Sequence, residues 1–339
     1  MNIVKKKVCI FYQTYNKFPG GLYPYNKRII QKYKGNLYKD YDLELISLPH
    51  RKGIKGKLIN YLELMKLIFN TKIKKCDKLI IGYNDILFPV SILQKIIKPK
   101  FIELYPLYSK WYTFVKDYKR YKTDSWYAKL LLKSDKSDFK LSNTIFSDTK
   151  THINLYKKYI LDENKYDVFY VHTDYELFNP KYISSNKLVD KNLVFFHGGF
   201  IPLQGTPIIY QAISGKKHFY TLIFGNGYDY KKAISNYKQG DPEKTELLHF
   251  DYVDYEVLPN HIYSSEVCLG GPFGNSEKAK SVITNKTFEY LAMNKKVIVG
   301  DTPANKELLT IFPHKKHLIY FCPINNAQAL RKKIDEALK

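Results

Sequence analysis

The stretch FGNSEKAKSVITNKTFEYLAMNKKVIVGDTPANKELL, residues 273–309, predicts a loop, a helix, a strand and the opening of a second helix. Residues 286–293 are rich in helix formers, and their apolar members recur on one face. Residues 297–299 form a short β-branched run, typical of a buried parallel strand. Thr302 and Pro303 then fit the N-cap and first position of the next helix. This alternation is typical of an α/β domain.

The beginning of the first helix predicts an anion site. Thr284, Asn285 and Lys286 stand where free backbone N–H groups and the helix dipole favour negative charge. Glu289 lies one turn further on, where a helix-surface carboxylate would accept hydrogen bonds from sugar hydroxyls. An ordinary strand–helix unit explains the apolar positions, but it does not explain Asn285, Lys286 and Glu289 together.

The same stretch resembles the donor-binding segment of retaining GT-B glycosyltransferases of family 4, the glycosyl transferases group 1. The similarity lies in the words F-G-x-S-x-K-A, N-K-x-x-E-Y-L-A-M and V-x-x-G-D-T-P-A. In that family, the glutamate that matches Glu289 holds the ribose of a nucleotide-sugar, and the preceding turn holds its diphosphate. The resemblance implies an α/β chain with the GT-B fold, two Rossmann-like domains facing each other across a cleft.

Other positions extend the resemblance over nearly the whole chain. A glycine pair, Gly20 and Gly21, follows the first predicted strand, where backbone can approach a ligand without a Cβ clash. The family word G-x-x-x-P-L-x-G falls at residues 198–205. The residues expected to bind the donor are Gly20, Gly21, Gly199, Gln204, Gly225, Thr284, Asn285 and Glu289.

The chain departs from the family at the diphosphate. The common form of the family has an Arg and a Lys where this chain has Gly199 and Gln204. Lys278 and Lys286 are therefore expected to act as the catalytic cations that stabilise the leaving diphosphate, while Lys280 is expected to face solvent. A further departure is Ser281, which stands where the family's first glutamate contacts the donor sugar.

Length and composition bound the organisation of the chain. A length of 339 residues with 45% hydrophobic residues suits two globular domains. We expect an acceptor-side domain over 1–183, a nucleotide-sugar-binding domain over 184–325, and a C-terminal helix over 326–339 that packs toward the first domain. Four scattered cysteines argue against a disulfide framework and against a zinc site, and they suit a cytoplasmic protein. The sequence predicts no signal peptide and no membrane-spanning segment.

The net charge of +23 is unusual. Compositional bias toward Lys, Tyr, Asn and Ile is one explanation; nucleic acid, an anionic membrane or a polyanionic substrate are the others. Residues 105–133 interleave both tryptophans with tyrosines and lysines, as membrane headgroup contacts and stacking surfaces do. A helix pair with inward-facing rings would give the same pattern. The segment also resembles the family's acceptor side, Y-x-x-F-V-x-D, with Asp117 as the acceptor-side residue, which favours an acceptor or membrane role.

The leading prediction is a retaining, metal-independent glycosyltransferase that moves a sugar from a nucleotide-diphosphate sugar, UDP or GDP, to an acceptor hydroxyl. The resemblance implies synthesis of bacterial surface polysaccharide, glycolipid or glycoprotein. The expected partners are the donor, a lipid-linked, protein or glycan acceptor, and an anionic membrane on the cytoplasmic side; neither a cofactor nor nucleic acid is expected. The alternatives are a polyanion- or nucleic-acid-binding protein and an inactive relative that acts as a partner subunit.

Overall fold

The computed structural model describes residues 6–14, 22–34, 41–49, 51, 55–56, 58–60, 62–63, 66, 76–82, 90–183, 192–215, 219–238 and 246–339. The chain divides into two compact units, Met1–Tyr170 and Val171–Lys339, called here the first and second domains. Within the described residues, each domain contains a six-stranded sheet in which the paired strands run parallel.

The first domain follows an alternating strand and helix order. Its strands are β1 (Lys6–Thr14), β2 (Tyr41–Pro49), β3 (Lys78–Ile81), β4 (Phe101–Leu104), β5 (Thr144–Ser147) and β6 (Tyr166–Val168), in the sheet order β2-β1-β3-β4-β5-β6. Its helices include α1 (Leu22–Lys34), α2 (Val90–Ile97), α3 (Trp126–Leu141), α4 (Lys150–Tyr159) and a π-helix (Tyr112–Asp117).

The second domain repeats this plan. Its strands are β7 (Leu193–His197), β8 (Tyr220–Phe224), β9 (Glu246–Phe250), β10 (Val267–Leu269), β11 (Lys296–Gly300) and β12 (Ile319–Cys322), in the order β12-β11-β10-β7-β8-β9. Its α-helices include α5 (Thr206–Ile213), α6 (Tyr230–Lys238), α7 (Leu258–Tyr263), α8 (Glu277–Ser281), α9 (Asn285–Ala292), α10 (Pro303–Lys306), α11 (Leu308–Ile311) and α12 (Ala327–Ala337). Short 3₁₀ turns lie at Pro180–Tyr182, Pro202–Gln204, Tyr255–Val257 and Pro313–Leu318.

The predicted fold class, an α/β chain with two Rossmann-like domains, is confirmed. The helix and strand predicted from residues 286–299 are α9 and β11. Thr302 caps α10 as predicted, because its hydroxyl oxygen accepts a hydrogen bond from the Asn305 N–H at 3.2 Å. Pro303 occupies the first helical position, where its missing N–H costs nothing.

Two of the predicted domain limits concern the linker between the domains and the C-terminal helix. The linker expected from residue 184 lies outside the described residues, so the boundary after Ile183 stays a prediction. The C-terminal helix α12 buries Leu330, Ile334 and Ala337 in the core of the second domain. Arg331 ties it to the end of α5, donating to the carbonyl oxygens of Ala212 at 2.9 Å and Ser214 at 2.7 Å. Its expected packing toward the first domain stays a prediction.

The core of each domain lies around its central strands. In β10, all three residues are fully buried, and in β7 the four residues 193–196 are buried as well. Strands that are apolar on both faces are typical of a parallel sheet covered by helices on both sides. Among the described helices, none is both long and apolar enough to cross a membrane.

One buried carboxylate in the first domain joins two helices. Asp138 of α3 accepts a hydrogen bond from the N–H of Val90, the first residue of α2, at 2.8 Å. Burial raises the pKa of Asp138 to about 6, although the positive charge of Lys110 and this N–H both oppose the rise. The carboxylate therefore caps α2, and the cost is the desolvation of its negative charge.

We expect Asp138→Asn to stabilise the protein near pH 8 by up to about 3 kcal/mol. The pKa in the folded state lies above that of an unfolded aspartate, so wild-type stability falls as the pH rises from about 4 through 6. Asparagine keeps an oxygen that accepts from Val90 but carries no charge. Urea unfolding at several pH values measures the effect, with Asp124→Asn at an exposed position as control. Loss of stability at pH 8 would contradict this account.

Candidate functional site

The strand order of the second sheet reverses between β7 and β10. Open α/β sheets bind ligands beyond the carboxyl ends of their strands at such a reversal. The loops after β7 (198–205) and after β10 (270–276) lie there. The first sheet reverses between β1 and β3; the predicted donor-binding residues Gly20 and Gly21 follow β1 but lie outside the described residues.

The loops after β7 and β8 touch backbone to backbone. Gly225 has φ +140°, and a Cβ on it would overlap the carbonyl oxygen of Gly198. Gly227 has φ +156° and stands in the same relation to Gly199. Close packing of two loops thus explains the glycine at position 225. Its predicted role in donor binding stays a prediction.

Gln204 supports the loop after β7. Its side-chain oxygen accepts a hydrogen bond from the N–H of Phe200 at 3.1 Å, and the residue is buried. Phe200 adopts an uncommon left-handed conformation, with φ +49°, and this hydrogen bond is one of the contacts that hold it. Gly199 is exposed, and the nearest heavy atom to a Cβ built on it would be 4.0 Å away. Neither predicted position brings a positive charge to the site.

The start of α9 is fastened to the end of β10. The Thr284 hydroxyl donates to the carbonyl oxygen of Gly270 at 2.6 Å and lies 3.0 Å from the hydroxyl of Thr287. Because it is used in this way, the Thr284 side chain makes no capping hydrogen bond to the first turn of α9. A helix N-terminus without a side-chain cap offers N–H groups and a partial positive charge to an anion.

Glu289 differs from its sequence prediction as a helix-surface carboxylate, because it is fully buried. Its Oε1 accepts hydrogen bonds from the Tyr255 hydroxyl at 3.3 Å and from the amide of Asn285. Its Oε2 lies 2.9 Å from Nε2 of His197, close enough for an ion pair. Residues 286–292 of α9 are all buried, so this helix has no solvent-facing side after its first residue.

Three buried polar atoms meet at this carboxylate without a hydrogen-bond partner among the described residues. They are Oε2 of Glu289, Nε2 of His197 and Oδ1 of Asn285. Oε2 of Glu289 and Nε2 of His197 are therefore close to each other, but their contact does not have hydrogen-bond geometry. Unsatisfied buried polar groups are uncommon in folded proteins, and each one calls for a partner such as an ordered water, an ion or a ligand group.

Two residues of this group were absent from the sequence prediction. His197 ends β7 at the sheet reversal, and that position was a usable signal once the strand order was known. Tyr255 lies in a 3₁₀ turn between β9 and α7, where the sequence carries no signal for it. Asn285 and Glu289, which were predicted, are brought together by one turn of α9.

The predicted cations fall into two environments. Lys278 and Lys286 are both buried, whereas Lys280 is exposed as predicted. Nζ of Lys286 lies 5.0 Å from the ring centre of Phe196. Burial lowers the pKa of Lys286 to about 8, although the negative charge of Glu289 opposes the change. Lys286 is therefore a poorly solvated cation in the uncapped first turn of α9.

Asp117, the predicted acceptor-side residue, ends the π-helix of the first domain. It is buried, and neither carboxylate oxygen has a hydrogen-bond partner among the described residues. π-Helices are rare and are found frequently at functional sites. This position stays a prediction for the acceptor side.

A large groove lies at the opposite, amino edge of the second sheet. Its volume is about 710 Å³, and its lining includes Lys295 and Lys296. Both ammonium groups are engaged by backbone oxygens, those of Tyr263 at 2.5 Å and Ala337 at 2.7 Å. Each ammonium group therefore has one N–H donor already in use, although both keep their positive charge.

Solved structures share this fold. Sucrose-phosphate synthase from Thermosynechococcus elongatus matches with a TM-score of 0.68 and 12% identity, over 98% of this chain and 90% of that one. HepE from Anabaena in complex with UDP-glucose matches with 0.66 and 10%, over 98% and 90%. An alpha-glucosyltransferase in complex with UDP-glucose and DNA containing an abasic site matches with 0.58 and 13%, over 98% and 95%. No protein-family model and no curated protein sequence matches the chain. At these identities the likeness shows the fold, that of GT-B glycosyltransferases.

We expect Gly225→Ala to destabilise the protein by at least about 2 kcal/mol, because alanine is strained at φ +140° and its Cβ overlaps Gly198. Urea unfolding measures the loss. Gly199→Ala is the matched control, since that Cβ meets nothing closer than 4.0 Å, and its effect should stay within about 0.5 kcal/mol. Equal effects of the two variants would show that the loop contact is not tight.

Proposed function

We propose that this chain is a glycosyltransferase whose second domain holds a nucleotide-diphosphate sugar. The observation that carries the proposal is the buried carboxylate of Glu289 beside the uncapped start of α9, at the reversal of the strand order. A nucleotide-sugar presents to such a place two kinds of group, hydroxyls and a diphosphate. The carboxylate of Glu289 would accept hydrogen bonds from the hydroxyls, and the first turn of α9 would bind the diphosphate.

The unpaired atoms support a ligand with neighbouring hydroxyls. Leaving a buried polar atom unpaired costs about 1–3 kcal/mol. Ribose hydroxyls would donate to Oε2 of Glu289 and Oδ1 of Asn285, and one hydroxyl oxygen would accept from His197. The ligand thus restores the hydrogen bonds that folding leaves unmade. The diphosphate would then lie at the first turn of α9, near Lys286.

The fold supports the same class of donor. HepE and the alpha-glucosyltransferase are proteins seen with UDP-glucose, which makes UDP the first nucleotide to test on this chain. We assign the chain to the retaining family 4 on the motifs of residues 273–309. The donor is a UDP- or GDP-sugar, and no cofactor or metal ion takes part.

The proposed chemistry is front-face transfer with retention of the anomeric configuration. It needs no protein nucleophile, because the leaving diphosphate can accept the proton of the acceptor hydroxyl. The protein then contributes positioning and positive charge. Lys286 and Lys278 supply the charge that grows in importance as the diphosphate leaves, in place of the cations missing at positions 199 and 204.

The acceptor belongs to the first domain in this proposal. The unpaired carboxylate of Asp117 would accept a hydrogen bond from the acceptor hydroxyl or orient it. A lipid-linked, protein or glycan acceptor at the cytoplasmic face of a membrane fits the excess of positive charge. Bacterial surface polysaccharide, glycolipid or glycoprotein synthesis is the setting that we propose.

A second candidate is an inactive relative that serves as a partner subunit. It is favoured by Gln204, whose oxygen is committed to Phe200, and by Gly199, which has no side chain to offer. Such a protein would bind a nucleotide diphosphate without turnover. Release of the nucleotide from a nucleotide-sugar in the presence of acceptor separates the two.

The proposed function is tested by thermal unfolding with a panel of nucleotide diphosphates. A nucleotide at a hundred times its dissociation constant should stabilise the protein by ~2.7 kcal/mol. We expect UDP or GDP to do so and inorganic phosphate at equal concentration to fall well short. If no nucleotide diphosphate stabilises the chain, the proposal is wrong.

We expect Glu289→Gln to weaken nucleotide-diphosphate binding by roughly 1.5–3 kcal/mol, because it loses charge-assisted hydrogen bonds to the ribose. Glutamine suits a test at this buried position since it keeps the shape of the side chain. Isothermal titration measures the affinity, and unfolding without ligand confirms the fold. Glu336→Gln, at an exposed position on α12, is the control. Unchanged affinity in the folded variant would remove Glu289 from the site.

We expect Lys278→Ala and Lys286→Ala to lower kcat more than they raise KM for the donor, because charge on the diphosphate peaks as it leaves. Exposed Lys280→Ala is the matched control. Nucleotide affinity should also fall as the pH rises from about 7 to 9 in wild type, since Lys286 loses its proton near pH 8. Lys286→Met should flatten this profile. Near-normal turnover in all three alanine variants would place the charge elsewhere.

A further inference from the structure

The outward face of α3 presents apolar side chains to water. Trp126 is 75% exposed and Leu130, one turn further along, is 46% exposed. The opposite face of the same helix is packed into the first domain by Ala128, Leu131 and Phe139. Packing within the domain therefore accounts for one side of α3 and leaves the other unexplained.

The same outward face is strongly basic. Lys129, Lys133, Lys136 and Lys140 are exposed at helical spacing around Trp126 and Leu130. Four more exposed basic side chains lie just before the helix, within residues 116–122. Residues 116–140 are described throughout, and Asp124 is their one exposed acidic residue. The remaining aspartates of this stretch are buried, so they offset little of this charge at the surface.

The exposed tryptophan is held by other rings. Trp126 meets Tyr127 edge-on with ring centres 5.5 Å apart, and Tyr127 packs on Tyr121 at 4.7 Å. Tyr121 and Tyr127 are packed against the core of the first domain. The indole is thus a supported group on a firm base, which reduces the entropy lost when it is immobilised by a partner.

We propose that this basic face, α3 with residues 116–122, docks on an anionic lipid bilayer. Exposed tryptophan settles at the headgroup level, leucine enters the acyl boundary, and lysines meet anionic headgroups. The inference stands on the first domain alone and does not depend on the donor site. It assigns a surface and a partner to the excess charge of the chain.

Other occupants fit these residues less well. A second copy of the chain would bring a surface of the same charge against this one, and repulsion would oppose it. Nucleic acid would use the lysines and stack on Trp126, but Leu130 has no ring on which a base could stack. A bilayer uses the aromatic, aliphatic and basic groups together, so we commit to it.

The experiment uses the full chain and vesicles of phosphatidylcholine with or without phosphatidylglycerol. We expect at least tenfold stronger co-sedimentation with the anionic vesicles, weakened by added salt. Lys129→Gln with Lys133→Gln should weaken binding about fivefold for each lysine removed. Lys231→Gln with Lys232→Gln, an exposed pair on α6, removes the same charge elsewhere and should change binding far less.

The apolar part of the face is tested by fluorescence. The chain has two tryptophans, and Trp111 is buried, so a blue shift on anionic vesicles reports on Trp126. Trp126→Phe should abolish that shift, and Trp126→Ser with Leu130→Ser should lower vesicle binding about tenfold. Tyr182→Ser, at a side chain 78% exposed in the second domain, is the control. All variants should keep wild-type thermal unfolding and wild-type binding of nucleotide diphosphates.

Two outcomes would overturn the proposal. One is equal binding to neutral and anionic vesicles, or no binding to either. The other is quenching of Trp126 by single-stranded DNA without any shift on vesicles, which would identify nucleic acid as the occupant. Failure of the wild-type protein to bind nucleotide diphosphates would refute the donor site, but it would not affect the vesicle-binding result for the basic face.

Discussion

The hydrogen bond from the Thr284 hydroxyl to the carbonyl oxygen of Gly270 is the constraint on which the candidate site depends. It fixes the first residue before α9 to the first residue after β10, at the point where the strand order reverses. A hydroxyl committed to Gly270 cannot also cap the helix, so the first turn of α9 remains open to an anion. The same attachment sets the position of Glu289, one turn along, against His197 at the end of β7.

Burial gives this site its chemistry and also its cost. Glu289 and Lys286 lie on one helix turn and are both removed from water, and desolvation lowers the pKa of the lysine toward neutrality. A buried pair of opposite charges seldom repays its desolvation through attraction alone. Unpaired atoms on Glu289, His197 and Asn285 add to that cost. A ligand that supplied the missing hydrogen bonds would offset part of that cost.

Positive charge serves the two domains in different ways. In the second domain, Lys278 and Lys286 are buried near a helix end, where a single charge acts strongly at short range. In the first domain, exposed lysines of the basic face surround Trp126. Each of them attracts an anionic surface only weakly, and salt screens this attraction. The net charge of +23 therefore does not describe one function. What each lysine contributes depends on whether its side chain is buried or exposed.

The sequence by itself determined the local structure: the position of α9, the β-branched strand β11, the Thr302 cap and the exposure of Lys280. These follow from helical spacing, β-branching and turn chemistry, all of which act between near neighbours. The tertiary structure alone decided that Glu289 is buried, that His197 and Tyr255 surround it, and that Gln204 supports Phe200. Those contacts join residues far apart in the chain, through a strand order that the sequence does not display. Burial and pKa depend on such contacts, so the lowered pKa of Lys286 and the unpaired atoms around Glu289 could be identified only from the fold.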